Sequence, residues 1–205
     1  IREDNFVYVD KTDLVYQLVK DGNIYFLSRP RRFGKSLLVS TLKHYFLGHK
    51  ELFQGLAIEQ LEQEWLEYPV FHIDFNNTKF EKSGNLENKI NIYLTAWEQI
   101  YGALPVKGDL GDRFAYVLEQ AHKQTGRRAV VLIDEYDKPL LDVLDSGRMT
   151  IEDGQEILLE EQHRNILKGF YSVFKGADAH LKFVLLTGVT KFSQVSVFSG
   201  FNQPD

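Results

Sequence analysis

Cysteine is absent from these 205 residues, which excludes disulfide staples and cysteine-zinc sites and gives no support for secretion. No apolar run approaches the length of a membrane span. No excess of positive charge is present either. Twenty-four Lys and Arg against 29 Asp and Glu leave a net charge of −5, which argues against a general nucleic-acid-coating surface while leaving room for a local basic patch. The six histidines are scattered, and none forms an HExxH-type pair, so a dedicated zinc site is not expected. No signal peptide, internal repeat, low-complexity tract or domain linker is visible, and the expected setting is cytoplasmic. The chain opens on Ile1 rather than Met and stops at Gln203-Pro204-Asp205, which points to trimming at both ends.

What is there is ordinary for a soluble globular protein: 43% hydrophobic and 26% charged residues, enough for one well-packed domain over 1–205. Residues 6–9 are strand-like, and Asp10 or Thr12 can cap a helix carrying Leu14, Val15, Leu18 and Val19, closed near Gly22. Ile24 to Leu27 reads as a strand, and the helical spacing from Leu37 to Phe46 is closed by Gly48. A short segment surrounds Leu52, Phe53, Leu56 and Ile58. Val70 to Phe75 is a second strand, bounded by Pro69 and Asn76-Asn77. Helical periodicity over 85–101 and around Phe114 to Ala121 leads to a third strand at Ala129 to Ile133. Pro139 starts a short helix that Ser146-Gly147 breaks, a longer helix is predicted over 154–175, and 182–188 is a fourth strand. Strands alternating with helices predict an α/β fold, a mostly parallel sheet covered on both faces.

Two motifs carry chemistry. Arg29-Pro30-Arg31-Arg32-Phe33-Gly34-Lys35-Ser36 follows a strand and opens a helix, the order that aims backbone N–H groups and a helix N-terminus at a polyphosphate. It departs from the pattern G-x-x-x-x-G-K-[ST], because Arg29 stands at the first glycine position. The remaining Gly-Lys-Ser triplet alone is weak, since it arises by chance in about one chain in ten of this length. The second motif raises its weight. Ala129-Val130-Val131-Leu132-Ile133-Asp134-Glu135 is an unbroken apolar run ending in two carboxylates, the pattern of a central parallel strand buried on both faces. Adjacent acids at such a strand end are costly to desolvate without partners, and a metal ion with a polarised water would supply them. Together and in this order the motifs predict a nucleotide site. A complete strand at 70–75 between them leaves room for an additional strand between the loop strand and the acidic strand.

Four segments occur together and in order: Tyr8-Val9-Asp10-Lys11-Thr12, Arg29 to Leu37, Ile133-Asp134-Glu135-Tyr136-Asp137-Lys138-Pro139, and Leu186-Thr187-Gly188-Val189-Thr190-Lys191-Phe192-Ser193. Over nearly the whole chain this combination resembles the predicted AAA-ATPase-like family of bacterial proteins, in which Arg at the first Walker A glycine position is usual. The resemblance implies a P-loop NTPase fold of the additional-strand catalytic-glutamate (ASCE, AAA-like) type, with ATP as ligand and Mg²⁺ as cofactor. Longer members often carry a C-terminal PD-(D/E)xK nuclease-like domain; that domain lies outside this sequence, so nuclease activity is not carried over. Lys35 would reach the β- and γ-phosphates, and backbone N–H groups from Phe33 through Gly34 to Leu37 would cradle them. Ser36 would hold Mg²⁺ through its hydroxyl, with Asp134 binding the hydrated ion. Glu135 would orient or deprotonate the attacking water; the alternative is a structural acid paired with a lysine. Thr187, or Thr190, would sense the γ-phosphate. Arg31 and Arg32 would neutralise phosphate charge or act as fingers on a neighbouring subunit of a homo-oligomer; the alternative is solvated loop charge. The Tyr8–Thr12 segment lies where related ATPases close over adenine. A protein or nucleic-acid partner would act through a missing C-terminal region, and no membrane association is expected.

Two other readings stand beside the ATPase. A nucleotide-dependent switch without useful turnover is kept alive by Arg29 in place of glycine. A metal nuclease would use Asp74 with Glu87-Asn88-Lys89, but requires Glu87 and Lys89 on one face of a strand, whereas their segment has helical periodicity.

Overall fold

The computed structural model describes residues 8–21 and 24–190. Its main sheet comprises β1 (Ile24–Ser28), β2 (Val70–Asp74), β3 (Ala129–Asp134) and β6 (Leu181–Gly188), all parallel, in the spatial order β1-β6-β3-β2. The strand between the loop strand and the acidic strand is therefore β6, the last among the described residues; the 70–75 strand lies beyond β3. The chain runs from β1 through α2 (Lys35–Phe46) and from β2 through α4 (Asn85–Tyr101) and α5 (Leu110–Thr125) to β3. It then passes α6 (Lys138–Leu141), α7 (Leu159–Tyr171) and α8 (Val173–Gly176) to reach β6.

Side-chain alternation along β3 divides the core in two. Ala129, Val131 and Ile133 pack with Phe71, Ile73, Val184 and Leu186 beneath α4, α5 and α7. Val130 and Leu132 pack with Phe183 and Leu185 on the opposite face, against Val39, Leu42 and Phe46 of α2 and Val15 and Val19 of α1 (Thr12–Asp21). All six residues of β3 are buried, so its unbroken hydrophobicity reflects cover on both faces. Burying each such side chain contributes about 1.5–3 kcal/mol.

Local signals explain the element boundaries. Asp109 and Asp112 form a reciprocal capping box at the start of α5, and Gly126 ends it in the left-handed conformation. Asp10 accepts the backbone N–H of Thr12 (2.9 Å) and that of Ala57 (2.7 Å), while the Thr12 hydroxyl accepts the N–H of Ile58 (3.1 Å). These two polar residues thus tie the start of α1 to the short helix α3 (Ala57–Leu61).

The predicted helix over 154–175 is corrected. It begins only at Leu159, and before it β4 (Met149–Glu152) and β5 (Gln155–Leu158) form an antiparallel hairpin. Asp153 and Gly154 turn the hairpin at φ 50° and 80°, the Asp-Gly chemistry of a two-residue turn. The helical face over 157–174 masked that local signal. Tyr8 and Val9 precede α1 without forming a strand; Phe6 and Val7, the Gly22 stop and Lys191 to Ser193 lie outside the described residues.

Burial pushes the imidazole pKa values of His44, His72 and His163 below the usual histidine range. His163 is fully buried, and its Nδ1 donates to the carbonyl of Pro139 at 2.9 Å. The folded chain therefore protonates these rings at lower pH than the unfolded chain, whose imidazoles protonate below about pH 6.5. Stability is thus complete above that value and declines as pH falls through it. Urea titrations are expected to give a lower midpoint at pH 5.5 than at 7.5. His163→Gln, which keeps a donor for Pro139 without titrating, is expected to reduce that difference, His44 and His72 carrying the rest; an unchanged pH slope would refute the assignment of His163.

Candidate functional site

Parallel strands bring their C-terminal ends to one side of the sheet, and the register aligns them closely. Ile133 pairs with Leu186, Leu27 with Thr187 and Ser28 with Gly188. The acids following β3, the turn following β6 and the loop following β1 therefore meet at one sheet edge, the usual place for a ligand in this architecture.

The loop from Arg29 to Gly34 reverses the chain between β1 and α2, with Arg32 and Gly34 at φ 67° and 76°. Gly34 occupies the cap position of α2 without any side-chain cap, and no acid lies in the first turn. The first-turn amides and the positive end of the helix dipole thus face outward with no negative partner on their own helix. Ser36 and Leu37 are exposed in that turn, and Arg31, Arg32 and Phe33 are exposed in the loop. Arg31 and Arg32 form no ion pair among the described residues.

Lys35 points the other way. Its side chain is only 4% exposed, and Nζ lies 3.2 Å from Glu135 Oε1, 3.2 Å from the carbonyl of Arg29 and 3.4 Å from that of Pro30. Glu135 is paired with a lysine, and that lysine is the one of the glycine-lysine-serine loop. Glu135 has φ 56°, a left-handed conformation that ends β3 at Asp134 and costs a non-glycine residue about 1–3 kcal/mol. Asp134 is buried beside it and accepts the Thr187 hydroxyl on Oδ1. Lys35, Asp134, Glu135 and Thr187 therefore converge from α2, β3 and β6. Thr190, the alternative to Thr187, instead donates its hydroxyl to Asp137 at 3.0 Å.

Beside the loop, an open cleft of ≈ 630 Å³ runs between α1 and α2. Val9, Leu14, Leu18, Phe33, Leu37 and Thr41 line it, together with Tyr8 and Lys11. Phe33 and Val9 are 67% and 70% exposed, so the wall is apolar yet open to solvent. Sequence reasoning placed Tyr8 to Thr12 nearby but missed Leu14, whose helical spacing reads as core.

Sequence reasoning also gave no role to Tyr136, Asp137 or Gly188. The Asp137 carboxylate is fully buried and accepts from the backbone N–H groups of Val189 (2.8 Å) and Thr190 (2.7 Å). Their signal was their membership of the co-occurring segments. The nuclease constellation does not assemble: Glu87 and Lys89 lie on α4, and Asp74 accepts the N–H of Asn76 at 2.7 Å in a local turn. Among the described residues no cluster of three or more His, Asp or Glu side chains is arranged to hold a metal, and no helix is long and apolar enough to cross a membrane.

A relative from Azotobacter chroococcum mcd 1, described as "Uncharacterized protein in vnfD 5'region", is 44% identical over 206 residues, covering 100% of this chain and 38% of its own length. The chain thus spans well under half of that relative. No solved structure matches significantly. A family model described as "Predicted AAA-ATPase" matches residues 1–198, and the chain accordingly belongs to the AAA-ATPase-like family.

Proposed function

We propose that the chain binds ATP and hydrolyses it with Mg²⁺, as an AAA-like P-loop ATPase unit of the additional-strand, catalytic-glutamate type. The observation that carries this reading is the 3.2 Å contact between Lys35 Nζ and Glu135 Oε1 at the mouth of an uncapped helix. A buried ammonium group and outward-facing amides suit a polyphosphate. A carboxylate one residue past the β3 end suits a water poised to attack. The strand order, with β6 between β1 and β3, supports the catalytic-glutamate type.

In this reading Lys35 and the backbone N–H groups from Phe33 to Leu37 bind the β- and γ-phosphates. The triphosphate draws Lys35 from Glu135, which leaves that carboxylate free to take a proton from water. Thr187 holds Asp134 in place through its hydroxyl and stands close to where the γ-phosphate would lie. Hard oxygen donors fit Mg²⁺: the Ser36 hydroxyl would hold it, with Asp134 binding through its hydration shell. When bound, the ion neutralises charge on the phosphate oxygens. Arg31 and Arg32, exposed beside the loop, are free to meet phosphate from this chain or a neighbouring copy. The apolar cleft takes the base, between Val9 and Leu14 on one side and Phe33 and Leu37 on the other.

Single-turnover assays are expected to show cleavage by the wild type and a loss of roughly 10²–10⁴-fold in Glu135→Gln. ATP binding by that variant should be tighter by a few fold, because Lys35 no longer has a competing carboxylate. Lys35→Ala should abolish binding. If wild type and Glu135→Gln bind alike and neither cleaves ATP, the protein is a nucleotide switch without turnover.

The cleft assignment makes a separate prediction. Leu14→Asn is expected to weaken ATP about tenfold, a loss consistent with removing one apolar contact of about 1–2 kcal/mol, and to leave tripolyphosphate affinity unchanged. Equal weakening of both ligands would move the base elsewhere.

A further inference from the structure

We propose that Asp137 is a positioning residue that sets the distance between Lys35 and Glu135 through the turn Gly188-Val189-Thr190. The proposal rests on the ATPase reading above for its kinetic consequence, but its geometry stands on different atoms.

Asp137 occupies the cap position of α6, where an aspartate ordinarily accepts an N–H of its own helix. Here the side chain makes no such bond. It is fully buried, and its Oδ2 accepts three donors from across the sheet edge: the N–H groups of Val189 and Thr190 and the Thr190 hydroxyl, at 2.8, 2.7 and 3.0 Å. A buried carboxylate needs such donors, and the local cap is forgone to reach them. Oδ1 is buried without a hydrogen-bond partner. It lies against Gly188, where an added Cβ would sit 2.7 Å from Oδ1 and 2.6 Å from Tyr136 Cε1.

The turn is held from both sides. On the acidic side, Tyr136 donates its N–H to the Thr187 carbonyl at 2.9 Å and its hydroxyl to the Thr190 carbonyl at 2.8 Å. On the loop side, the Arg29 N–H donates to the Gly188 carbonyl and the Ser28 hydroxyl to the Val189 carbonyl, each at 3.1 Å. The carbonyls of Arg29 and Pro30 in turn accept from Lys35 Nζ. A continuous hydrogen-bonded path therefore joins the segment that begins with Glu135 to the residues that hold Lys35. It explains why the Ile133 to Pro139 and Leu186 to Thr190 segments occur together: each is the other's binding surface. Releasing the turn shifts the acid against the lysine without removing either.

The test uses Asp137→Ala, Asp137→Asn and Gly188→Ala. A misplacement of about 1 Å costs on the order of 10²-fold in rate, so Asp137→Ala is expected to slow single-turnover hydrolysis by 10–100-fold with ATP affinity within threefold of wild type. Asp137→Asn keeps an acceptor oxygen and should recover most of that loss. Gly188→Ala leaves Asp137 intact and should reproduce the rate-only defect. A crystal structure of Gly188→Ala without nucleotide provides a readout independent of activity, with the Lys35–Glu135 contact expected to open beyond about 4 Å, the limit of an ion pair. The proposal is overturned if that contact stays closed, if the alanine variants turn over normally, or if rate, affinity and melting temperature fall in step. An opened contact alongside a wild type that never cleaves ATP would instead refute the ATPase reading and leave the positioning role standing.

Discussion

An ammonium group cannot be removed from water without a counter-charge, and Lys35 is nearly fully buried. That requirement organises the functional end of this molecule. The negative partner comes from Glu135, and Glu135 can reach Lys35 only because β6 intervenes between β1 and β3 at a register that brings their ends level. The two carbonyls of the loop complete the lysine's coordination. In the proposed function, the Glu135 carboxylate stands where a ligand's negative charge would replace it.

The sheet makes such a site affordable in free energy. Core packing on both faces of β3 holds the strand rigidly, so the left-handed backbone at Glu135 and the buried carboxylates of Asp134 and Asp137 are offset by apolar burial elsewhere. Each acid also has its own donors: the Thr187 hydroxyl for Asp134, Lys35 for Glu135, and the turn amides for Asp137. Three acids within four residues thus serve three separate contacts.

The family match and the relative from Azotobacter extend over essentially the whole of this chain. The relative is far longer than these residues. Within these residues, an apolar cleft and the exposed arginines of the loop lie open to solvent beside the Lys35–Glu135 contact.

Much of the architecture was legible residue by residue. The unbroken apolar run of β3 announced a strand covered on both faces, and the glycine-lysine-serine turn announced a helix start, because hydrophobic periodicity and glycine's conformational freedom are local properties. The hairpin at Met149–Leu158 was missed because Ile157 and Leu158 also fit the helical face that follows, and an Asp-Gly turn is a weaker signal than that periodicity. That the 70–75 strand lies on the far side of β3 could not be read at all, since strand order depends on long-range pairing. The same holds for Asp137: an aspartate before a helix looks like a cap, and only the folded chain turns it to the residues after β6. Chemistry of single residues was thus written in the sequence, whereas the partners of buried charges were decided by tertiary packing, because desolvation selects whichever donor the fold brings near.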